Sequence, residues 1–490
     1  MSMTVIHSIA FLFLTAVSCE VSNYSFPENF QFGVATASYQ IEGGWNEGGR
    51  SESIWDYNLH QNPNLTDDKS NGDIACDSYH KWKEDIEIVK NLGVDFYRLS
   101  ISWSRILPSA LKGSELSTEG VIYYNNIIDE LIANNIVPYV TIFHWDTPQV
   151  LEFKGGWLNE TVIEDYIYYA RILFELYGDR VKHWITFNEP HQICEQGYAT
   201  AEKAPFKTLQ GTGDYLCYHH VAIAHGKIYR IYEEEYKPTQ KGQVGITIDC
   251  VFGAPKTDTE EDKQAAIDYM EFQYGWFAHP ILSGNYPPLM IEKIGELSRR
   301  EGFPKSRLPE FTQDEIKIIN GSFDFLGLNH YTTVLCSYGG NYPVPSHRND
   351  LGTIDSIDPS WKPSAADWLW EVPWGLRGLL VYIKDHYNNP PVLITENGWA
   401  NRGRYIHDVD RINYMKGYLS EVLKAIYDDG CNVIGYTAWS LLDNFEWTYG
   451  YTMKFGLVYV DFESENRTRT PRDSYEIYKK IVATKSLQIY

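Results

Sequence analysis

The strongest constraint on the fold is a rhythm. Eight apolar runs rich in β-branched residues recur along the 490-residue chain, at Phe30–Tyr39, Asp95–Trp103, Ile136–Trp145, His183–Glu189, Gln243–Cys250, Phe323–Tyr331, Val392–Asn397 and Val433–Leu441. Polar or turn-forming residues bound each run, which is the pattern of strands buried on both faces. Between most of them lie segments with helical spacing, such as Tyr166–Tyr177 and Tyr414–Tyr427. Buried strands alternating with helices predict an α/β chain, a single parallel (β/α)8 TIM barrel with long βα-loops. The alternative is an open doubly wound sheet, but Gly43, Gly44, Gly48 and Gly49 do not fit its phosphate-turn spacing. Pro205–Gly213, Lys256–Lys263 and Tyr338–Pro363 are Gly-, Pro- or charge-rich and are expected to be loops on the active-site face. No low-complexity linker divides the chain, so residues 20–490 are expected to form one catalytic barrel domain.

A barrel of this kind carries its reactive groups at the C-terminal ends of its strands. The apolar runs end in Trp103, His144-Trp145, Asn188-Glu189, Asn329-His330-Tyr331, Glu396-Asn397 and Trp439. Taken alone, Glu189 reads as a cap for the next helix. Glu396, followed by Asn397-Gly398, reads alone as a turn. Together they close strands four and seven, expected on opposite sides of the barrel mouth. Two carboxylates facing each other across a pocket are what glycoside hydrolysis needs, one to exchange a proton with the glycosidic oxygen and one to attack or to screen the developing oxocarbenium ion. Aromatic residues make up 15% of the chain. Flat rings with polar edges suit the C–H faces of a pyranose, although an aromatic-rich core has the same composition.

Longer motifs narrow this further. Phe32 to Gly43 (FGVATASYQIEG), Tyr97 to Arg105 (YRLSISWSR), His144-Trp145-Asp146, Thr186 to Pro190, Asn329-His330-Tyr331, Ile394 to Gly398 and Trp439 to Trp447 (WSLLDNFEW) follow in order. With these motifs the chain resembles the family 1 glycoside hydrolases, the β-glucosidase family, and its insect and other animal members most, from Phe26 to Tyr478. The resemblance implies Glu189 as acid/base and Glu396 as nucleophile of a retaining β-glycosidase. It implies that Gln40, His144, Asn188, Glu446 and Trp447 bind the glycone hydroxyls, Asn188 at the 2-hydroxyl. Trp439 would be the platform beneath the sugar, Arg98 and Tyr331 would hold Glu396, and Trp368 would flank the aglycone. Arg98 is expected to depress the pKa of Glu396, and the charge of Glu396 to raise that of Glu189. Glu446 is expected to accept from the 4- and 6-hydroxyls and to repel a 6-phosphate. The expected substrate is therefore a small-molecule β-glucoside or oligosaccharide with an unphosphorylated terminal glucosyl residue, fucosyl and galactosyl residues being further candidates, and no metal or cofactor is required. A thioglucosidase (myrosinase) or a specialised-metabolite glucosidase is the alternative within the family. A non-catalytic sugar-binding relative is the alternative outside catalysis, disfavoured because both carboxylates are present. Three positions depart from the family pattern. His191 follows Pro190 where an aromatic is frequent, Asn401 stands where Asp is common, and Lys454 replaces Arg; the first two are expected on the aglycone side.

The remaining features concern partners and compartment. A net charge of −23 argues against a nucleic-acid or anionic-membrane partner. The apolar stretch Val5–Val17 followed by Ala16-Val17-Ser18-Cys19 predicts a signal peptide over residues 1–19 and a secreted protein without a membrane anchor. Sequons at Asn23, Asn64, Asn159, Asn320 and Asn466 agree with export as glycosylation candidates. The seven cysteines are scattered and allow one or two bridges, which sequence cannot pair. His219, His220 and His225 lie on a helical stretch with no zinc-motif spacing, and Asp67-Asp68…Asp73 reads as a solvated turn rather than a calcium loop.

Overall fold

The structure is a computed structural model that describes residues 22–489, so the expected signal peptide lies outside the described residues. All eight apolar runs form strands: β1 Gln31–Ala35, β2 Phe96–Ser100, β3 Val137–Phe143, β4 His183–Asn188, β5 Gln243–Asp249, β6 Phe325–Asn329, β7 Val392–Asn397 and β8 Val433–Trp439. They pair in parallel, each with its sequence neighbours, and β8 closes onto β1 to complete a barrel. Around it run α1 Ser78–Leu92, α2 Thr118–Ala133, α3 Val162–Tyr177, α4 Gly213–Ile231, α5 Gln313–Ile319, α6 Pro373–His386, α7 Val409–Tyr427 and α8 Asp473–Thr484. The helices follow from their sequences. In α3, Tyr166, Ala170, Leu173 and Tyr177 recur at three- and four-residue steps and are buried, and Glu164 and Asp165 meet the positive N-terminal end. Gly93 takes a left-handed φ of 78° and closes α1. Thr312 and Glu315 form a capping box at the start of α5.

Two segments expected as loops contain regular structure. Glu260–Lys263 begins the helix Glu260–Met270, capped by the Thr259 side chain. The acids that read as loop charge are the favourable first turn of a helix. Tyr338–Pro363 contains the helix His347–Leu351 and the strand Thr353–Ser356, which pairs with Thr333–Tyr338 in a small side sheet. Pro205–Thr212 is irregular, as expected.

The lumen of the barrel has an apolar floor and a polar rim. Phe96, Tyr139, Ile185, Phe325 and Leu393 form a core cluster of their own inside the barrel. Two residues further along their strands, on the same face, stand Arg98 and Thr141. The ladder is irregular at two strands near the rim. The β4–β5 register shifts between Ile185 and Asn188, and the β6–β7 register between Ile394 and Glu396. Such irregularities re-aim side chains at barrel rims. A disulfide, Cys194–Cys217, ties the segment after β4 to α4, and Cys76, Cys250, Cys336 and Cys431 are buried free thiols. Among the described residues no helix is long and apolar enough to cross a membrane.

Candidate active site

Glu189 and Glu396 both reach the lumen at the rim. Their strands are not diametrically opposed, as the strand count had suggested. In the ring β4 and β7 are separated by β5 and β6 alone on one side. That offset lets a single residue of β6, Asn329, serve both acids. Its Nδ2 donates to Glu189 Oε1 at 2.7 Å, and its amide also favours the charged form of Glu396. At Glu189 the backbone turns left-handed, φ 53°, while its N–H still donates to Thr247 O at 2.9 Å. The register shift and this turn bring both Asn188 and Glu189 into the polar network.

Arg98 organises the network because a guanidinium can only donate. Its Nη1 meets Glu396 Oε1 at 2.6 Å, its Nη2 meets Asn188 Oδ1 at 2.6 Å, and its Nε meets Thr141 Oγ1 at 3.2 Å. The Asn188 amide is thereby oriented, so its Nδ2 faces Glu189 Oε2 and His144 Nε2, each at 3.2 Å. His144 Nε2 therefore accepts, and its proton sits on Nδ1. Burial, then the Arg98 charge, holds the His144 imidazole well below its ordinary pKa and so neutral. Tyr331 donates its hydroxyl to Glu396 Oε2 at 2.8 Å.

The two carboxyls have unequal environments. Burial, then the charge of Asp249, then that of Glu396 push Glu189 well above the ordinary carboxyl range. Burial also raises Glu396, but Arg98 and the Tyr331 hydroxyl pull it back. The expected net depression of Glu396 by Arg98 is thus outweighed by burial, since desolvation penalises any buried anion. The order of the pair is what matters chemically: Glu189 is the better proton holder and Glu396 the better anion.

Beside the acids lie polar atoms without partners. Gln40 donates to Asn444 Oδ1 and Phe445 O, leaving its Oε1 buried and unpaired. His144 Nδ1–H is also buried and unpaired. A hydroxyl both donates and accepts, so sugar hydroxyls are the kind of group that could satisfy an orphan acceptor and an orphan donor. Burial raises Glu446 to about 8, with Lys203 opposing, so near neutrality it can donate as well as accept. The rings of Trp439 and Trp447 lie nearly parallel to that of His144, at 6.1 and 6.0 Å between centroids. Trp368, 37% exposed, packs its edge on Tyr331. All the residues nominated from sequence for the site therefore fall at one end of the barrel.

The other nominated positions scatter. His219 turns to Tyr286, His220 to the Trp157 carbonyl and His225 to Thr186. Asn23, Asn64, Asn320 and Asn466 are exposed, and Asn159 is half-buried. Asn401 is not free to meet an aglycone: it forms a two-bond backbone bridge with Lys454, and Arg411 donates to its side chain. Two of the three departures from the family pattern thus face each other. Thr395 Oγ1 donates to Asn329 Oδ1 at 2.7 Å and so orients the amide that serves both acids; the sequence motifs assign no role to Asn329, Thr395 or Asp249. Asp249 ends β5, so the strand-end rule that exposed Glu189 and Glu396 would have found it.

Comparison with known proteins agrees with this fold. The profile of Glycosyl hydrolase family 1 matches residues 22–487. Myrosinase 1 of Brevicoryne brassicae is 51% identical over 94% of this chain and 99% of its own. Beta-glucosidase 12 of Oryza sativa subsp. indica is 43% identical over 94% and 93%. Among solved structures, an aphid myrosinase superposes with a TM-score of 0.92 at 50% identity, covering 94% of this chain and 100% of that one. The rice Os3BGlu6 beta-glucosidase gives 0.89 at 40% identity, covering 94% and 99%.

Proposed function

The chain belongs to glycosyl hydrolase family 1 and is a glycoside hydrolase, and from that premise we propose that it is a retaining β-glycosidase removing terminal non-reducing β-D-glucosyl residues from oligosaccharides or plant glucosides. Fucosyl and galactosyl residues are further glycones in this reading. The observation that carries it is the unequal pair: two buried carboxyls served by one Asn329 amide, with Arg98 and Tyr331 on Glu396 alone. Glu189 gives its proton to the glycosidic oxygen as Glu396 attacks the anomeric carbon, and the aglycone leaves as an alcohol. The charge of Glu396 is then consumed in the glycosyl ester, and Glu189 becomes a stronger acid. It takes a proton from water as that water displaces Glu396 and restores the β configuration. Gln40, His144, Asn188, Glu446 and Trp447 hold the hydroxyls, Trp439 lies under the ring, and Trp368 flanks the aglycone. We propose export as well, supported by the exposed sequons and by a disulfide that suits an oxidising compartment.

Glu396→Gly assayed on an aryl β-glucoside tests the reading. Activity should vanish and return with added azide as an α-glucosyl azide. Substantial activity surviving without azide would sink the nucleophile assignment. A thioglucosidase is the second reading, favoured by the 51% identity to Myrosinase 1. Competition between a glucosinolate and cellobiose in one assay decides between the two.

A further inference from the structure

We propose that His191 and Asp249 act as a charge-balancing pair that positions and tunes Glu189 from the β5 side of the barrel rim. The inference rests on the proposed role of Glu189. Asp249 ends β5 in register with Asn329, the residue whose amide donates to Glu189 Oε1. Glu189 in turn donates its backbone N–H to Thr247, two residues before Asp249. Glu189, just past the end of β4, and Asp249, the last residue of β5, therefore stand near each other at the rim ends of adjacent strands. His191 reaches across from the turn after β4. Its Nδ1 lies 3.1 Å from Asp249 Oδ2 and its Nε2 lies 2.5 Å from Glu195 Oε2. Gln192 Nε2 donates to the same Asp249 oxygen at 2.8 Å, while Asp249 Oδ1 is buried without a partner. The side chains of His191, Asp249 and Glu195 are only 16, 13 and 10% exposed.

Both imidazole nitrogens of His191 face carboxylates, so each must carry a proton, and the ring is a cation. Burial works against that cation, but the charges of Asp249 and Glu195 hold its pKa up to about 10. It stays charged through any neutral working range. Beyond Glu195 stand His347, at 3.3 Å, and the buried Asp214. On the Glu189 side the other charged neighbours are Glu396, Arg98 and Lys203. Of these charges Asp249 acts most strongly on Glu189, ahead of Glu396. This has a consequence for the two half-reactions. The charge of Glu396 disappears in the glycosyl ester, whereas that of Asp249 persists. Asp249 thus helps Glu189 hold its proton as an acid, and the His191 cation keeps that help from preventing its use as a base.

The pair makes opposite predictions for its two members. The alkaline limb of kcat/KM reports loss of the proton from the acid in the free enzyme. Asp249→Asn removes a negative charge and should move that limb to lower pH, by about one unit. His191→Gln leaves Asp249 and Glu195 uncompensated and should move it to higher pH by a similar amount. The double variant should fall between them. His191→Phe serves as a second uncharged variant should the Gln form fail to fold. An aryl β-glucoside with a poor leaving group is the substrate, because only then is protonation required. Limbs that stay in place, or that move in the same direction in both variants, would overturn the proposal. The alkaline limb of Glu189→Gln separates the two readings. A limb lost in Glu189→Gln yet immobile in the pair variants removes the pair alone, and a limb that persists in Glu189→Gln removes the assignment on which it rests.

Discussion

Glu396 owes its place as the anion of the pair to two donors, and each can be removed singly. Tyr331→Phe deletes the hydroxyl that lies 2.8 Å from Oε2. A hydrogen bond to a charged group contributes about 1.5–3 kcal/mol, so the folded pKa of Glu396 should rise by about one to two units. In the proposed mechanism the acidic limb of kcat/KM reports this group and should move to higher pH, which rate profiles on an aryl β-glucoside would reveal; an unmoved limb would mean the hydroxyl does not support the proposed nucleophile. Glu189→Gln should lower kcat about 10²–10⁴-fold for poor leaving groups and much less for activated ones, because only the former need the proton. Equal losses on both would argue against an acid role. At this scale the sequence was informative wherever a motif named the residue. Glu189 and Glu396 are strand-ending acids, and position alone made them a pair. Asp249 was missed although it obeys the same rule, because no motif surrounds it. The net rise of Glu396 was missed because burial is a property of the packed site, not of the chain.

The elements around the site are held by contacts that a strand-and-helix reading does not contain. Gly398 follows Glu396 by two residues, and a Cβ there would lie 2.0 Å from the Trp439 carbonyl oxygen. Gly398→Ala should push β7 from β8 and cost about 1–3 kcal/mol, seen as a lower Tm together with reduced kcat. A variant with unchanged Tm would show that the two strands can part freely. Cys194–Cys217 closes a loop of 23 residues beginning five positions after Glu189. A crosslink of that span is worth about 3 kcal/mol, so Cys194→Ser/Cys217→Ser should melt several degrees lower, and reductant should lower the wild type but not the double variant. The eight strands were legible because each is a continuous apolar run. The helix Glu260–Met270 was not fully legible, because its charged first turn looks like loop composition. The disulfide could not be chosen from seven scattered cysteines, since pairing depends on where α4 packs.

The molecule as a whole titrates in two opposing directions. Burial raises Asp146 and Asp214 to about 7 and Glu446 to about 8, and the neighbouring carboxylates hold His191, against burial, up to about 10. In the unfolded chain these groups release protons near 4 and 6.5. The folded state therefore holds extra protons, and the stability they bring is lost as pH rises through the folded values. Burial depresses His183, His219 and His330 to about 4 and His225 to about 3, so their contribution is lost as pH falls below about 6.5. The two sets oppose each other between pH 4 and 6.5, and above that only the first acts. Scanning calorimetry should find Tm falling from pH 7 to 9, and a Tm that holds or rises would contradict this balance. The barrel itself was the most legible level, since its period is written in hydrophobicity; which polar atoms would be left without partners was not. The unpaired His144 Nδ1–H and Gln40 Oε1, set beside buried acids, have a practical consequence. A protonated amine bearing several hydroxyls would satisfy the orphan atoms as the proposed sugar would and add a cation near the buried acids. Small amino-polyols, common buffer amines among them, should compete with the substrate for this pocket, so the choice of buffer becomes part of any affinity measured here.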